Sequence, residues 1–188
     1  MTDRREWESR YRERPDDGIR PPSPFLTEHL HRLPSGRGLD LASGDGRHAL
    51  CLARHGWRVE AIDFAHAGLA RLLAIARRDA LPLDVVQADL EYYRLSRERY
   101  DVVVNVRYLQ RSLFPALKAS LRRGGAVIFE TFIRDQQQLG HPRNPAFLLE
   151  RGELAAQFDD FEILACEEGR FETESGVAFL ARLLARRP

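Results

Sequence analysis

The stretch Leu39–Asp63, LDLASGDGRHALCLARHGWRVEAID, decides the architecture. An apolar run, Gly38–Ala42, passes directly into Ser43-Gly44-Asp45-Gly46. A helical pattern then starts at Arg47 and runs to His55, where Gly56 can cap it. Gly44 and Gly46 let the backbone turn sharply and let a ligand approach closely, which side chains would block. The new helix offers unpaired N–H groups at the carboxyl edge of the sheet, where open α/β sheets bind ligands. A second strand, Trp57–Ile62, delivers Asp63 to that edge, and a third, Leu83–Gln87, delivers Asp89. Asp63 is placed to accept hydrogen bonds from ribose hydroxyls, and Asp89 to lie beside an adenine ring. Each has a plainer reading too, Asp63 as a helix cap and Asp89 as a turn residue.

Outward from this core the alternation continues. Ala67–Arg78 puts Leu69, Leu72, Leu73 and Ala76 on one helical face, with arginines at its C-terminal end. Tyr100–Val106 and Ala126–Phe132 are continuous apolar strands, as expected where both faces of a sheet are covered. Between them the pattern predicts a helix opened by Ser112, carrying Phe114, Leu117 and Leu121 on one face and followed by Gly124-Gly125. Phe161–Cys166 and Val177–Leu184 are joined only by the polar EEGRFETESG, which suits a hairpin and is too short for a crossover helix. The expected fold is α/β: a Rossmann-like, seven-stranded, mostly parallel sheet with a C-terminal antiparallel hairpin and helices on both faces. Two helices precede it. Asp3 with Glu6 fits a capping-box start, with Trp7 and Tyr11 on one face. Ser23-Pro24 opens the second, whose Leu26, Leu30 and Leu33 face the core, and PDDGIRPP is the loop between.

The 188 residues are 44% apolar and 30% charged, with a formal net charge of +1. The length supports one domain, 1–188, in which 1–34 form a helical cap and 35–188 the Rossmann-like core. No apolar stretch approaches the roughly 18 residues of a bilayer span. Met1–Arg14 has no apolar signal-peptide core, so a cytoplasmic location without a membrane partner is expected. Lys118 is the single lysine among 29 basic residues, a bias toward arginine that suggests a GC-rich bacterial coding sequence. Acids and arginines interleave, and a near-neutral total gives no field to attract nucleic acid. Cys51 and Cys166 have no metal or redox spacing and are expected as buried free thiols. The six histidines (His29, His31, His48, His55, His66, His141) show no metal spacing, and no metal is expected.

In these residues the chain resembles the class I S-adenosylmethionine-dependent methyltransferases over nearly its whole length. The family's acidic-x-Gly-x-Gly-x-Gly motif matches Asp40 through Gly46, with Ala42 in place of the first glycine. The resemblance implies S-adenosylmethionine as cofactor, held by Asp40, Ala42, Ser43, Gly44 and Gly46. It maps the ribose-binding acid to Asp63, next to Phe64, and the adenine-side acid to Asp89, next to Leu90. It brings Asn105, at the end of the fourth strand, near the sulfonium. The antiparallel last hairpin is that family's hallmark. The chain is similar, within it, to the small bacterial methyltransferases grouped with the tellurite-resistance enzymes. Those matches are Trp7 with Tyr11, Pro22-Ser23-Pro24-Phe25-Leu26, Glu130-Thr131-Phe132, Gly140-His141-Pro142-Arg143-Asn144-Pro145 and Phe147-Leu148-Leu149.

Methyl transfer from a sulfonium is an in-line displacement with an activated donor, so the enzyme mainly holds the reacting atoms collinear and excludes water. A thiolate, selenide or telluride acceptor needs no strong base, whereas an oxygen or amine acceptor needs one, with Glu130, His141 or Tyr108 the nearest candidates. Arg107, Arg111, Arg134 and Arg143 follow the fourth and fifth strands where the acceptor is expected, and guanidinium groups suit oxyanions. Tyr11 and Tyr108 complete the expected acceptor wall, although Trp7 and Tyr11 suit either a lid or plain packing. Asn105-Val106-Arg107-Tyr108 lacks the Asn/Asp-Pro-Pro-aromatic motif of enzymes that hold an exocyclic amine of a base. A small molecule, anionic or softly nucleophilic, is the expected acceptor. Two alternatives stay open: a non-catalytic S-adenosylmethionine-binding module, and an NAD(P)-dependent oxidoreductase, since Ala49 can stand as the third position of G-x-G-x-x-G/A.

Overall fold

The computed structural model describes residues 4–13, 19–173 and 176–188. Two short helices, α1 (Arg4–Arg12) and α2 (Pro24–His29), come first, and a 3-10 turn over Leu30–Arg32 extends the second. The capping position Asp3 and the first half of the PDDGIRPP loop, residues 15–18, lie outside the described residues. Then follow β1 (Arg37–Leu41), α3 (Arg47–Arg54), β2 (Arg58–Asp63), α4 (His66–Arg78), β3 (Leu83–Gln87) and β4 (Tyr100–Val106). The chain continues through α5 (Phe114–Ser120), β5 (Leu121–Phe132), α6 (Glu153–Gln157), β6 (Glu162–Thr173) and β7 (Gly176–Arg186).

All seven strands form one sheet in the order β3-β2-β1-β4-β5-β7-β6. The first five are parallel, and β7 runs antiparallel between β5 and β6. The order reverses between β1 and β4, and it is at such a switch point that a crevice opens at the carboxyl ends of the strands. Side chains alternate between two cores, as a pleated strand requires. On β4, Val103 packs with Leu41, Phe114, Phe129 and Phe158 on one face. Val102 and Val104 pack with Leu26, Leu50, Leu72 and Ile128 on the other.

Three local expectations are corrected. The helix opened by Ser112 is a 3-10 turn over Arg111–Leu113 followed by α5, and it stops before Leu121, which begins β5. Pairing jumps from Tyr100↔Leu121 to Val102↔Ala126, so Arg122–Gly125 bulge out of the ladder. Gly124 takes φ +76°, a left-handed value, inside that bulge. Secondly, much of the polar EEGRFETESG is strand: β6 pairs with β7 as far as Thr173↔Gly176. An edge strand open to solvent holds its ladder without an apolar run, and its charges discourage further pairing. Thirdly, that same exposed edge carries Cys166, so only Cys51 is buried.

Candidate functional site

At β1's end the chain turns through three left-handed residues, Ala42 at φ +51°, Gly44 at +58° and Gly46 at +80°. Gly46 caps α3, and its N–H donates to the Ser43 carbonyl at 2.9 Å. The turn is packed on three sides. A Cβ added at Gly46 would lie 2.3 Å from the Leu72 side chain, and one at Gly44 would lie 2.2 Å from the Tyr11 hydroxyl. Gly68 of α4 sits so close that its own Cβ would lie 2.6 Å from the Gly44 carbonyl oxygen.

The two motif acids hold this turn in different ways. Asp63 accepts from the Gly44 N–H at 2.7 Å and from the Ala65 N–H at 2.8 Å, which fastens the loop to the start of α4. Burial pushes its carboxyl pKa up, against those backbone hydrogen bonds. Asp40, 1% exposed, accepts from the Ala49 N–H through Oδ2 at 2.9 Å. Its Oδ1 has no partner among the described residues, and neither does the Ser43 hydroxyl. Burial raises the Asp40 pKa to about 7. A buried acceptor without a donor is costly, and an arriving ammonium or hydroxyl satisfies it.

Beside the turn opens a cavity of about 710 Å³. Ala42, Ser43, Asp63 and Phe64 form its β1–β2 wall, and Trp7 and Tyr11, stacked at 5.9 Å, close it from α1. The opposite wall is built on Glu130 of β5, 2% exposed. Ser23 donates its hydroxyl to Glu130 Oε2 at 2.8 Å. Arg107 Nε lies 3.4 Å from Oε1, and Arg182 Nε lies 3.1 Å from Oε2. The Arg182 Nε–H points off that line and has no hydrogen-bond partner among the described residues. Both guanidiniums lie over rings, Arg107 over Phe132 at 4.3 Å and Arg182 over Phe171 at 3.8 Å. Arg107 is held at φ +64° by its N–H bond to the Glu130 carbonyl, a strained backbone of the kind found at functional sites. Burial lowers its pKa to about 10 in spite of Glu130. The cluster therefore carries two cations against one carboxylate.

The remaining expected residues fall into two groups. His141, Tyr108 and Arg107 line the cavity. Tyr108 donates its hydroxyl to Gln110 at 2.5 Å, and burial pushes that phenol up to about 12. Asp89, Leu90, Asn105, Arg111, Arg134 and Arg143 are not on the cavity wall. Asp89 caps the Glu91 N–H at 2.9 Å, Leu90 is in the core, and Asn105 donates to the Tyr108 carbonyl at 2.7 Å. Arg111 grips both Glu153 oxygens and the carbonyls of Ala146 and Leu148, which fastens the stretch leading to α6. Arg134 pairs with Glu150, and Arg143 donates to the Gly140 carbonyl. The sequence reading missed Arg182, Ser23, Gly68 and His48 as site residues. A histidine two positions past G-x-G was the one local signal available.

Residues 39–125 match the family model described as Methyltransferase domain. A methyltransferase-type domain is therefore recognised over residues 39–125. Among curated proteins, the chain is 30% identical to Hemagglutinin 1 of Eikenella corrodens over 152 residues, 76% of this chain and 49% of that protein. The chain thus spans about half the length of that relative. TehB from Haemophilus influenzae superposes with a TM-score of 0.77 at 22% identity, covering 87% of this chain and 61% of TehB. The 1,6-didemethyltoxoflavin-N1-methyltransferase of Burkholderia thailandensis was solved with 1,6-didemethyltoxoflavin and S-adenosylhomocysteine bound. It superposes with a TM-score of 0.67 at 18% identity, covering 87% of this chain and 76% of that one. The fold is therefore that of S-adenosylmethionine-dependent methyltransferases. Among the described residues, none of its helices is long and apolar enough to cross a membrane, and no three His, Cys, Asp or Glu gather to hold a metal.

Proposed function

We propose that this protein transfers the methyl group of S-adenosylmethionine to a small, anionic acceptor, and that residues 1–188 act as one catalytic unit in the cytoplasm of a bacterium. The observation that carries the reading is the pair of unpartnered, buried oxygens beside the glycine turn, Ser43 Oγ on the cavity wall and Asp40 Oδ1 on β1, off that wall. They fit the cofactor's amino-acid end, with Asp40 receiving its ammonium, while Asp63 and Phe64 suit its ribose. When bound, the cofactor supplies a methyl group on a positively charged sulfur. The chain's own residues do the rest: α1 shields the cavity from water, and the Arg107–Glu130–Arg182 cluster offers net positive charge to an anionic acceptor. A volume of about 710 Å³ suits small ligands rather than nucleic acid.

Thermal unfolding tests this with S-adenosylmethionine, S-adenosylhomocysteine, NAD and NADP added separately. At 100 times its dissociation constant a ligand stabilises by about 2.7 kcal/mol, a rise of several degrees in Tm. The first two ligands are expected to give it, and Asp40→Asn to abolish it. A shift with the nucleotides alone overturns the reading. Incubating the protein with labelled donor and a low-molecular-mass cell extract separates an enzyme from a mere binder, because only the enzyme releases S-adenosylhomocysteine.

A further inference from the structure

We propose that His48 is a catalytic residue of the proposed methyl transfer, and that the acceptor is therefore protic, a hydroxyl, thiol or amine that gives its proton to this imidazole. The inference rests on the reading above and narrows its acceptor class. His48 stands in the first turn of α3, next to the glycine turn, and is 4% exposed on the cavity wall. Its Nε2 has no hydrogen-bond partner among the described residues. A core histidine normally satisfies its ring, as His29 does on the Phe25 carbonyl at 2.9 Å and His55 on the Cys51 carbonyl at 2.8 Å. His48 alone of these three keeps an unpaired, buried ring nitrogen at the cavity, where a ligand can supply its partner.

The other candidate bases are less suited. Glu130 is committed to Ser23, Arg107 and Arg182. Tyr108 donates to Gln110, and His141 is exposed on the rim. Burial, with the charges of Arg47, Arg107 and Arg20 around it, holds His48 well below the usual imidazole pKa, so the ring is neutral and able to receive a proton at neutral pH. In the transfer, the acceptor's nucleophilic atom bonds to the methyl carbon as the carbon–sulfur bond breaks, and that bond's electron pair returns to sulfur. The acceptor's proton passes to His48 and then to solvent. One positive charge leaves the sulfur and one appears on the imidazole, so the cavity's net charge does not change at this step. That balance makes protonation beside three arginines tolerable, although the same ring resists it when the cavity is empty.

The test uses the whole protein, tritiated S-adenosylmethionine and a low-molecular-mass extract as methyl acceptor. His48→Ala and His48→Gln are expected to bind S-adenosylhomocysteine within about threefold of wild type by calorimetry, yet to transfer label at least a hundredfold more slowly, a general base typically contributing 10²–10⁴-fold. Added imidazole at millimolar concentration is expected to restore transfer to His48→Ala, whose vacated volume admits it, and not to His48→Gln. Equal transfer by wild type and variants overturns the proposal. So does a loss of S-adenosylhomocysteine affinity without imidazole rescue, which assigns the ring to the cofactor. No transfer by wild type overturns the methyl-transfer reading itself, and this inference with it.

Discussion

Around one cavity, the wall made by β1, β2 and the start of α3 leaves polar atoms of Asp40, Ser43 and His48 without partners among the described residues, whereas the wall made by β4, β5 and β7 ties its charged groups together by ion pairing. The first is assembled from a contiguous stretch, Asp40–Asp63, and its shape comes from left-handed backbone and close packing at Gly44, Gly46 and Gly68. The second draws Ser23, Arg107, Glu130 and Arg182 from four separate segments, and its shape comes from charge. Unmet hydrogen bonding on one side and excess cation on the other are two ways of storing affinity for a ligand. The first selects a ligand by geometry and the second by sign.

The sharpest way to break this contrast is Glu130→Ala. It strands the buried Arg182 and the half-buried Arg107 guanidiniums, and removing one partner of such a cluster costs about 3–5 kcal/mol. Urea unfolding is expected to register that loss. A midpoint within experimental error of wild type would mean the second wall is not held by charge. On the first wall, Gly68→Ala forces a methyl to 2.6 Å from the Gly44 carbonyl and must push α4 outward. Such overpacking costs about 1–3 kcal/mol, and weaker S-adenosylhomocysteine binding should accompany it in calorimetry.

The pH dependence separates the walls further. The folded pKa of Asp40, raised to about 7, means the folded chain holds a proton there that the unfolded chain has lost. Its share of stability is present below about pH 4 and is lost as pH rises through 7. Binding an ammonium needs the ionised form, so S-adenosylhomocysteine affinity is expected to climb up to tenfold per pH unit between 5 and 7 and then level off. Asp40→Asn should flatten that climb. The smallest effect is expected from Ala42→Gly. Relief of a left-handed alanine gains about 1–2 kcal/mol, and the extra freedom of an unfolded glycine returns about half of it. A net gain under about 1 kcal/mol in Tm-derived stability is the outcome to check, and a loss would mean the Ala42 methyl has a packing role.

The same contrast explains what the sequence made legible. β3 and β4 begin and end where their patterns place them, because buried strands and the glycine turn are written in neighbouring residues. β5 starts early because its bulge is fixed by partners on β4 rather than by its own composition. β6 runs long because an edge strand needs only a neighbour, so EEGRFET resembles loop until β7 lies beside it. Arg111 and Arg134 sat in the right part of the chain for an acceptor, yet their acids, Glu153 and Glu150, are brought to them only by the folded path. Ser23 suits a helix cap by type, but its hydroxyl is used across the molecule on Glu130.

The place of β7 has a consequence for synthesis on the ribosome. β7 lies between β5 and β6 although it is made after both, and it carries Arg182 to Glu130. Until β7 emerges, β6 lacks its partner strand and one buried carboxylate lacks half its counter-charge. Chains elongate slowly compared with local folding, so the nascent protein waits with its glycine turn, β1, β2 and β3 able to assemble. The far wall is completed last, as a strand inserted into a gap left for it.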